Sequence, residues 1–314
     1  MRRRLNALRK DHDATSAIDD AWSRMQILRQ RMDEGRERTA RALAVLQLAA
    51  RVSAALARTE ENPGGGRIPS ADGSARAKRL AEAALALAPD SSDAHEAMGD
   101  VLADAGEPEA AEAEYRKALL GDDSARGHVK LAEALRLQGK LPEAVTELRT
   151  ALARDAKSAR AHSDLGMALR SQRNLTEAVA EQKEAIRLDP DYVEAHNELA
   201  VALAGLGRLP EAAAEFREMI RIDPDSAAGY FNLASVLADM DQDAESAAAL
   251  REVVRINPNH YNAHYNLGEL FRLEGKFDES VKQFREYLRL APDTQQNRRN
   301  IQRAKSLIEK FDNP

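Results

Sequence analysis

The sequence of 314 residues contains no cysteine and one tryptophan, and aromatic residues make up only 4% of the chain. Without cysteine, the chain can form neither a disulfide framework nor a thiolate metal site, and it has no thiol nucleophile. The 11 prolines and 16 glycines are too few for a disordered chain. The scarcity of large aromatic side chains argues against two deep globular cores, which the length alone would suggest.

Long apolar runs are missing as well. The most apolar stretch, residues 42–57, is rich in alanine, is interrupted by Gln47 and Arg51, and is too short to span a bilayer. No apolar segment follows the basic residues at 2–10, so the N-terminus does not read as a secretory signal, and the acids behind it argue against a transit peptide. We therefore expect a cytoplasmic protein without a membrane span.

Charged residues and alanine are abundant. Charged residues make up 31% of the chain, and the mixture of Ala, Glu, Leu and Arg is typical of closely packed helices. Residues 1–60 carry 13 basic and 8 acidic residues, whereas residues 61–314 carry 33 and 44. This asymmetry indicates that the N-terminal segment has a role or a partner of its own.

A short sequence motif, Ala-His followed by Leu and a small residue, recurs through the chain. Its ring residues are His95, His128, His162, His196, Tyr230 and His264. Their successive spacings are 33, 34, 34, 34 and 34 residues. These spacings predict six repeats, 92–124, 125–158, 159–192, 193–226, 227–260 and 261–294.

Each repeat has the pattern of two helices. In repeat 193–226, one apolar stripe runs from 199 to 206, a break follows at 207–210, and a second stripe runs from 212 to 220. Pro224 then ends the second helix, because proline cannot continue it. No segment shows sustained alternation of period two, so we expect no strands.

The repeated positions resemble those of the tetratricopeptide repeat family, which needs small residues where helices cross and large ones between turns. Positions are counted from the first residue of each repeat. The eighth position is small and holds Gly99, Ala132, Gly166, Ala200, Ala234 and Gly268. The eleventh position is large and holds Leu102, Leu135, Leu169, Leu203, Leu237 and Phe271. Closing prolines stand at Pro190, Pro224, Pro258 and Pro292. The resemblance implies an all-α fold, a right-handed superhelical α-solenoid of helix-turn-helix repeats.

Segments flank the six repeats on both sides. Residues 1–35 are predicted to form a helical arm, and Trp22 on its apolar face either caps the first repeat or docks on a partner. Residues 36–91 read as a divergent first repeat with a Gly/Pro-rich insertion at 60–73. Residues 295–314 read as a capping helix, with which the array is expected to be complete.

Two local departures from the repeat pattern carry their own predictions. The insertion contains three glycines at 64–66, which could cradle a phosphate, but no Gly-Lys-Ser/Thr follows, so we expect a flexible loop. In repeat 227–260, Asp241 and Asp243 replace the usual glycine and apolar residue of the turn. We therefore expect a looser turn between the two helices of that repeat.

The histidines offer little support for catalysis. Five of the seven share one repeat position, which favours packing between helices over a chemical role. His260 and His264 could face one side of a helix as a metal pair, but no third ligand is evident. The carboxylates, such as Glu211 and Glu215, fall at repeat spacing on expected solvent faces. With no nucleophile elbow, dinucleotide fingerprint or phosphate loop, we predict no enzyme, no cofactor and no metal site.

The family resemblance assigns the concave groove to the first helices of the repeats. Carried over position by position, the partner-binding groove comprises Arg126, Val129, Arg136, Arg160, Met167, Arg170, Asn197, Phe231, Asn232, Tyr265, Asn266 and Arg272. Arginine can bind carboxylates bidentately, and exposed aromatic residues are common hot spots. Asn232 and Asn266 resemble the asparagines that hold peptide backbone in O-linked N-acetylglucosamine transferases.

These features predict a non-catalytic interaction scaffold or adaptor that binds an extended peptide or partner segment in the groove. The competing interpretation is that Phe231 packs on the next helix and that Glu133 and Glu194 neutralise the arginines. Two other functions stay open. The chain could self-associate through residues 1–58, or its basic arm at 2–10 could bind nucleic acid, although the repeats carry a large negative charge.

Overall fold

The computed structural model describes residues 44, 45, 47, 48, 59–61, 67–69 and 71–312. The predicted helical arm at 1–35 with Trp22, the basic residues at 2–10 and the glycines at 64–66 lie outside the described residues. Self-association through 1–58 and nucleic-acid binding by the arm therefore stay predictions.

The chain divides into two compact units, residues 1–168 and residues 169–314, called here the first unit and the second unit. The elements of the first unit are β1 (Thr59–Glu61), β2 (Arg67–Pro69), α1 (Ala71–Leu87), α2 (Ser92–Asp104), α3 (Pro108–Gly121), α4 (Ala125–Leu137), α5 (Leu141–Arg154) and most of α6 (Ala159–Ser171). The division falls within α6.

The second unit is entirely helical in the residues that the structure describes. Its elements are α7 (Leu175–Leu188), α8 (Val193–Gly205), α9 (Leu209–Ile222), α10 (Ala227–Asp239), α11 (Asp243–Ile256), α12 (Tyr261–Leu273), α13 (Phe277–Leu290) and α14 (Arg298–Asp312). Helices pack in sequence-adjacent pairs in both units. The predicted all-α fold of helix-turn-helix repeats is confirmed.

A short β-hairpin interrupts the helices in the first unit. β1 and β2 pair antiparallel, with Glu60 opposite Ile68. The expectation of no strands is wrong at this point. Strands of three residues are too short to show an alternation of period two, so the sequence pattern could not reveal them.

Several helices begin at residues that satisfy or avoid free backbone N–H groups. Ser124 precedes α4, and its hydroxyl oxygen accepts a hydrogen bond from the Gly127 N–H at 3.2 Å. Ser226 caps α10 in the same way. The second helices α5 and α9 carry proline in their first turn, at Pro142 and Pro210, where no intrahelical donor is needed.

Paired helices approach closely at the eighth repeat position. A Cβ atom added to Gly268 on α12 would lie 2.7 Å from the ring of Phe284, which is fully buried on α13. The buried hydroxyl of Ser280 donates a hydrogen bond to the Gly268 carbonyl at 2.8 Å. The Ser246 hydroxyl donates the equivalent hydrogen bond to the Ala234 carbonyl, also at 2.8 Å. The two serines are small enough to lie on the second helices at this close contact, and a carbonyl of the paired first helix satisfies each hydroxyl.

In the six repeats at 92–294, which the structure describes in full, each turn between the two helices contains one residue with a positive φ. Glycine occupies it four times, whereas Arg173 with φ 67° and Asp241 with φ 57° occupy it in the other two. At Asp241 the N–H of Gln242 donates to the Leu237 carbonyl at 2.9 Å, the same bond that the glycine turns make. The predicted looser turn is therefore wrong, because aspartate tolerates the left-handed conformation well enough to close it.

The terminal helix α14 packs on the last repeat of the second unit. Ala304 is fully buried, and Ile301 and Ile308 lie beside it against Phe284 and Tyr287. The apolar side of the predicted capping helix thus faces the protein, and the helix begins at Arg298, three residues after the predicted start at 295. A membrane-crossing helix, which needs a long uninterrupted apolar stretch, is not found among the described residues.

Candidate functional site

Two arginines on the first helices of the first unit, Arg126 and Arg160, are paired with carboxylates one repeat away. Arg126 on α4 lies 2.6 Å from Glu96 on α2, measured from Nη2 to Oε1. Arg160 on α6 lies 3.3 Å from Glu133 on α4 and 3.4 Å from Asp164. Two of the three groove arginines predicted for this unit are therefore neutralised within the protein, as the competing interpretation expected for Glu133.

A second network of the first unit was missed by the sequence reasoning. The Lys130 ammonium group donates to both carboxylate oxygens of Asp100, at 2.5 and 2.6 Å, and lies 2.8 Å from Glu96. The Tyr115 hydroxyl donates to the same Asp100 at 3.0 Å. Burial, reinforced by the Asp100 charge, raises the pKa of Tyr115. This mostly buried network ties two first helices to α3.

The remaining groove candidates of the first unit differ in exposure. Val129 is buried, only 5% exposed, so its side chain offers no binding surface. Met167 is half-buried. Arg136 is also half-exposed, and no described residue forms an ion pair with its guanidinium group. Arg136 is thus the one predicted arginine of this unit whose charge is open to a partner in the described structure.

Three asparagines lie on the first helices of the second unit, Asn197, Asn232 and Asn266. Asn232 on α10 donates from Nδ2 to the Oδ1 atom of Asn197 on α8 at 3.2 Å. Asn266 on α12 is half-buried, and its side chain makes no hydrogen bond to any described residue. A carboxamide carries both a donor and an acceptor. The three asparagines, called here the amide row, therefore retain unused hydrogen-bonding capacity.

The two aromatic candidates are packed rather than free. The ring of Phe231 lies 4.7 Å from the His260 ring between centroids, and Phe231 packs against the core around α10, α11 and α12. The centroid of the Tyr265 ring lies 5.8 Å from that of Phe284 and 5.0 Å from that of Tyr287. Both rings are half-buried, so they serve the packing of the repeats, as the competing interpretation expected for Phe231.

The two candidate arginines of the second unit, Arg170 and Arg272, also have intramolecular partners. Arg170 donates to Glu198 on α8 at 2.8 Å. Glu269 accepts from Arg272 at 2.9 Å and from Arg303 of α14 at 2.8 Å. Burial alone would raise the pKa of Glu269, but the hydrogen bonds from Arg303 and Arg272 outweigh it and hold the pKa below its usual range. Glu269 is thus an ionised carboxylate that links α12 to α14.

The repeated histidines take part in a recurring contact that the sequence analysis did not foresee. In His95, His128, His196 and His264, the Nδ1 atom faces the side chain nineteen residues later, at 2.5 to 2.8 Å. These partners are Glu114, Glu147, Glu215 and Gln283. Glu215 therefore lies against a histidine, not on a solvent face. The fixed offset of nineteen residues was the available signal.

The other ring nitrogen completes this contact, which we call the histidine bridge. In His95, His196 and His264, Nε2 faces the carbonyl oxygen of the residue six positions earlier, at 2.7 to 3.0 Å. Each bridge joins a first helix to its second helix and to the preceding turn. Among the described residues, no group of three or more His, Asp or Glu side chains is arranged to hold a metal ion.

Comparison with known proteins agrees with this architecture. A family model described as tetratricopeptide repeat matches residues 71–127, 129–193, 183–227 and 231–293. No curated protein matches the chain.

Similar solved structures share the fold at low sequence identity. A chain of the APC/C hetero-tetramer Cut9-Hcn1 is 15% identical with a TM-score of 0.62, over 98% of this chain and 57% of that chain. PilF of Pseudomonas aeruginosa is 20% identical with a TM-score of 0.58, over 70% and 96%. YrrB, described as a TPR protein with an unusual peptide-binding site, is 19% identical with a TM-score of 0.51, over 61% and 97%. The chain belongs to the tetratricopeptide repeat family.

Proposed function

We propose that the chain is a non-catalytic interaction scaffold that binds an extended peptide segment of a partner protein through the amide row of its second unit. Proteins of this family bind protein or peptide partners. The observation that carries the proposal is the half-buried Asn266 carboxamide, whose donor and acceptor have no partner among the described residues.

The chemistry of the amide row matches an extended backbone. An extended peptide presents an N–H donor and a C=O acceptor at every residue, and one carboxamide can bond to both at once. In Asn232 the Nδ2 group bonds to Asn197, which leaves its Oδ1 atom as an acceptor for a peptide N–H. Such contacts read the backbone, so side-chain specificity must come from neighbouring groups.

The organisation around this surface is part of the same proposal. We place the six repeats at 92–294, the divergent repeat at 36–91 and the capping helix at 295–314, and we place the protein in the cytoplasm. In the first unit, taken by itself, Arg136 offers a cationic contact, because its guanidinium group lacks an ion pair among the described residues. Self-association through 1–58 remains a separate possibility for the same chain.

The test begins with peptides selected from a displayed random library on the full-length chain. Their affinities are then measured by fluorescence anisotropy for the wild type, Asn266→Ala and Asn259→Ala. Asn259 is an exposed asparagine in the preceding turn and serves as the matched control. We expect Asn266→Ala to weaken binding about tenfold, the value of one hydrogen bond in a partly desolvated site. Equal affinities for the three proteins would refute the role of the amide row.

A further inference from the structure

The histidine bridge of His196 contains more acceptors than a neutral ring can satisfy. Nδ1 lies 2.8 Å from the Glu215 carboxylate, and Nε2 lies 3.0 Å from the Pro190 carbonyl. A carbonyl oxygen only accepts, and so does an ionised carboxylate, whereas a neutral imidazole has a single N–H. Both contacts are hydrogen bonds only if one additional proton is bound, either on the ring or on Glu215.

The surroundings keep this proton shielded from water. His196 is 5% exposed, and its bridge joins α8, α9 and the turn after α7. The charged groups that act on the ring are Glu215 and Glu218 on α9. The turn before α8 also contains Asp189 and Asp191. Glu218 and Asp191 are both bonded to Arg221, which leaves Glu215 as the carboxylate in direct contact with the ring. In the turn, Asp189 accepts a hydrogen bond from the Asp191 N–H.

The last repeat supplies a natural control with the same geometry. Nδ1 of His264 lies 2.7 Å from Gln283 Oε1, and Nε2 lies 3.0 Å from the Pro258 carbonyl. A glutamine amide can present either its oxygen or its NH₂ group after a flip of the side chain. A neutral ring can therefore satisfy both contacts in this repeat, and no extra proton is required.

We propose that His196 and Glu215 form a proton-linked clamp, so that loss of one proton from the pair loosens α8, α9 and the turn before them. The hydrogen bond to Glu215 raises the pKa of His196 above its ordinary value of 6.5, although burial opposes the shift. A raised pKa in the folded state means that the stabilisation is fully present below the ordinary value and disappears as the pH rises through the raised one. The proposal does not depend on peptide binding.

The experiment compares the full-length wild type with two variants. Glu215→Gln gives His196 the glutamine partner that His264 has in the last repeat, and Gln283→Glu gives His264 the glutamate partner that His196 has. Urea unfolding is followed from roughly pH 5.5 to 8.5, across the range where histidine titrates. We expect the stability of the wild type relative to Glu215→Gln to decline as the pH rises. We expect the stability of Gln283→Glu, relative to the wild type, also to decline as the pH rises. Parallel pH dependences for all three proteins would overturn the clamp.

A second measurement on the wild type keeps the proposal testable if a variant fails to fold. Nitrogen NMR of the imidazole rings distinguishes a doubly protonated ring from either neutral tautomer, and His196 can be assigned by correlation to its backbone. At about pH 6 we expect both nitrogens of His196 to carry hydrogen. A single neutral tautomer at that pH, together with an unprotonated Glu215 carboxylate in the carbon spectrum, would contradict the proposal.

Discussion

The first and second units differ in how far their polar groups and turns are satisfied. In the first unit, Arg126 and Arg160 have carboxylate partners, and both helix-to-helix turns carry glycine at the positive φ. In the second unit, Asn266 has no partner among the described residues, and Arg173 and Asp241 hold positive φ values. The second unit thus keeps unused hydrogen-bonding capacity and backbone strain, the kind of compromise that binding surfaces often make with stability.

The comparison also teaches where to look for a ligand on repeated helices. Four of the five candidate arginines pair with carboxylates, and Arg136 is the exception among the described residues, so abundance of arginine does not by itself create a binding site. A neutral amide at the same spacing has no such obligatory partner. The predictions below test this difference, beginning with the largest expected effect.

Truncation of Phe231 tests whether the aromatic candidates belong to the core. Because the ring packs on His260 and on the core cluster, we expect Phe231→Ala to lower the free energy of unfolding by about 2–3 kcal/mol. Urea unfolding measures this value, and Leu273→Ala, which removes a side chain that is 62% exposed, is the control. A weaker peptide affinity without a loss of stability would restore Phe231 as a binding hot spot.

Removal of Asp100 tests the network in the first unit in which this carboxylate accepts hydrogen bonds from Lys130 and Tyr115. Lys130 and Tyr115 would each lose an acceptor, so we expect Asp100→Ala to cost about 2 kcal/mol of stability. Asp239→Ala is the matched control, since Asp239 is exposed at the end of a first helix in the second unit. If both variants unfold at the same urea concentration, the network contributes nothing measurable.

Replacement of Arg173 tests the strain in the turns of the second unit. Arginine in the left-handed region costs roughly 1 kcal/mol more than glycine, so we expect Arg173→Gly to stabilise the chain by about that amount. Asp241→Gly should gain less, because aspartate tolerates this conformation. The mirror change Gly139→Ala in the first unit should destabilise by about 1 kcal/mol. Thermal unfolding ranks the stabilities of the three variants. If Arg173→Gly is less stable than the wild type, the backbone at Arg173 is not strained.

Loss of Arg126 should have the smallest effect. Its ion pair with Glu96 is partly exposed to solvent, so Arg126→Ala should cost at most about 0.5–1 kcal/mol. Peptide affinity should stay unchanged, because this arginine already has a partner. A tenfold loss of affinity in anisotropy titrations would contradict this expectation.

The sequence predicted the helix pairs because their signals repeat. The period of 34 residues and the small residues such as Gly268 directly reflect close helix contacts, which any member of the array must satisfy. The turn at Asp241 was misjudged because its closure depends on one backbone bond, not on composition. The hairpin around Glu60 was missed because three-residue strands carry no period.

The site was harder to predict than the fold. Family positions led to Arg126 and Arg160, but ion pairs form between residues about thirty positions apart, and only the packed helices reveal which carboxylate lies near. The pairing of His196 with Glu215 could have been found from the constant offset of nineteen residues. Asn266 was identified from a resemblance, and its lack of a partner is a property of the folded structure alone.

The most direct test of the account is a double-mutant cycle between Asn266 and the backbone of a selected peptide. Affinities are measured for the peptide and for its N-methylated forms, one amide at a time, with wild type and with Asn266→Ala. We predict that one methylation weakens binding to the wild type about tenfold and has little further effect on the variant. If every methylation weakens both proteins equally, Asn266 does not read the peptide backbone and the central claim is contradicted.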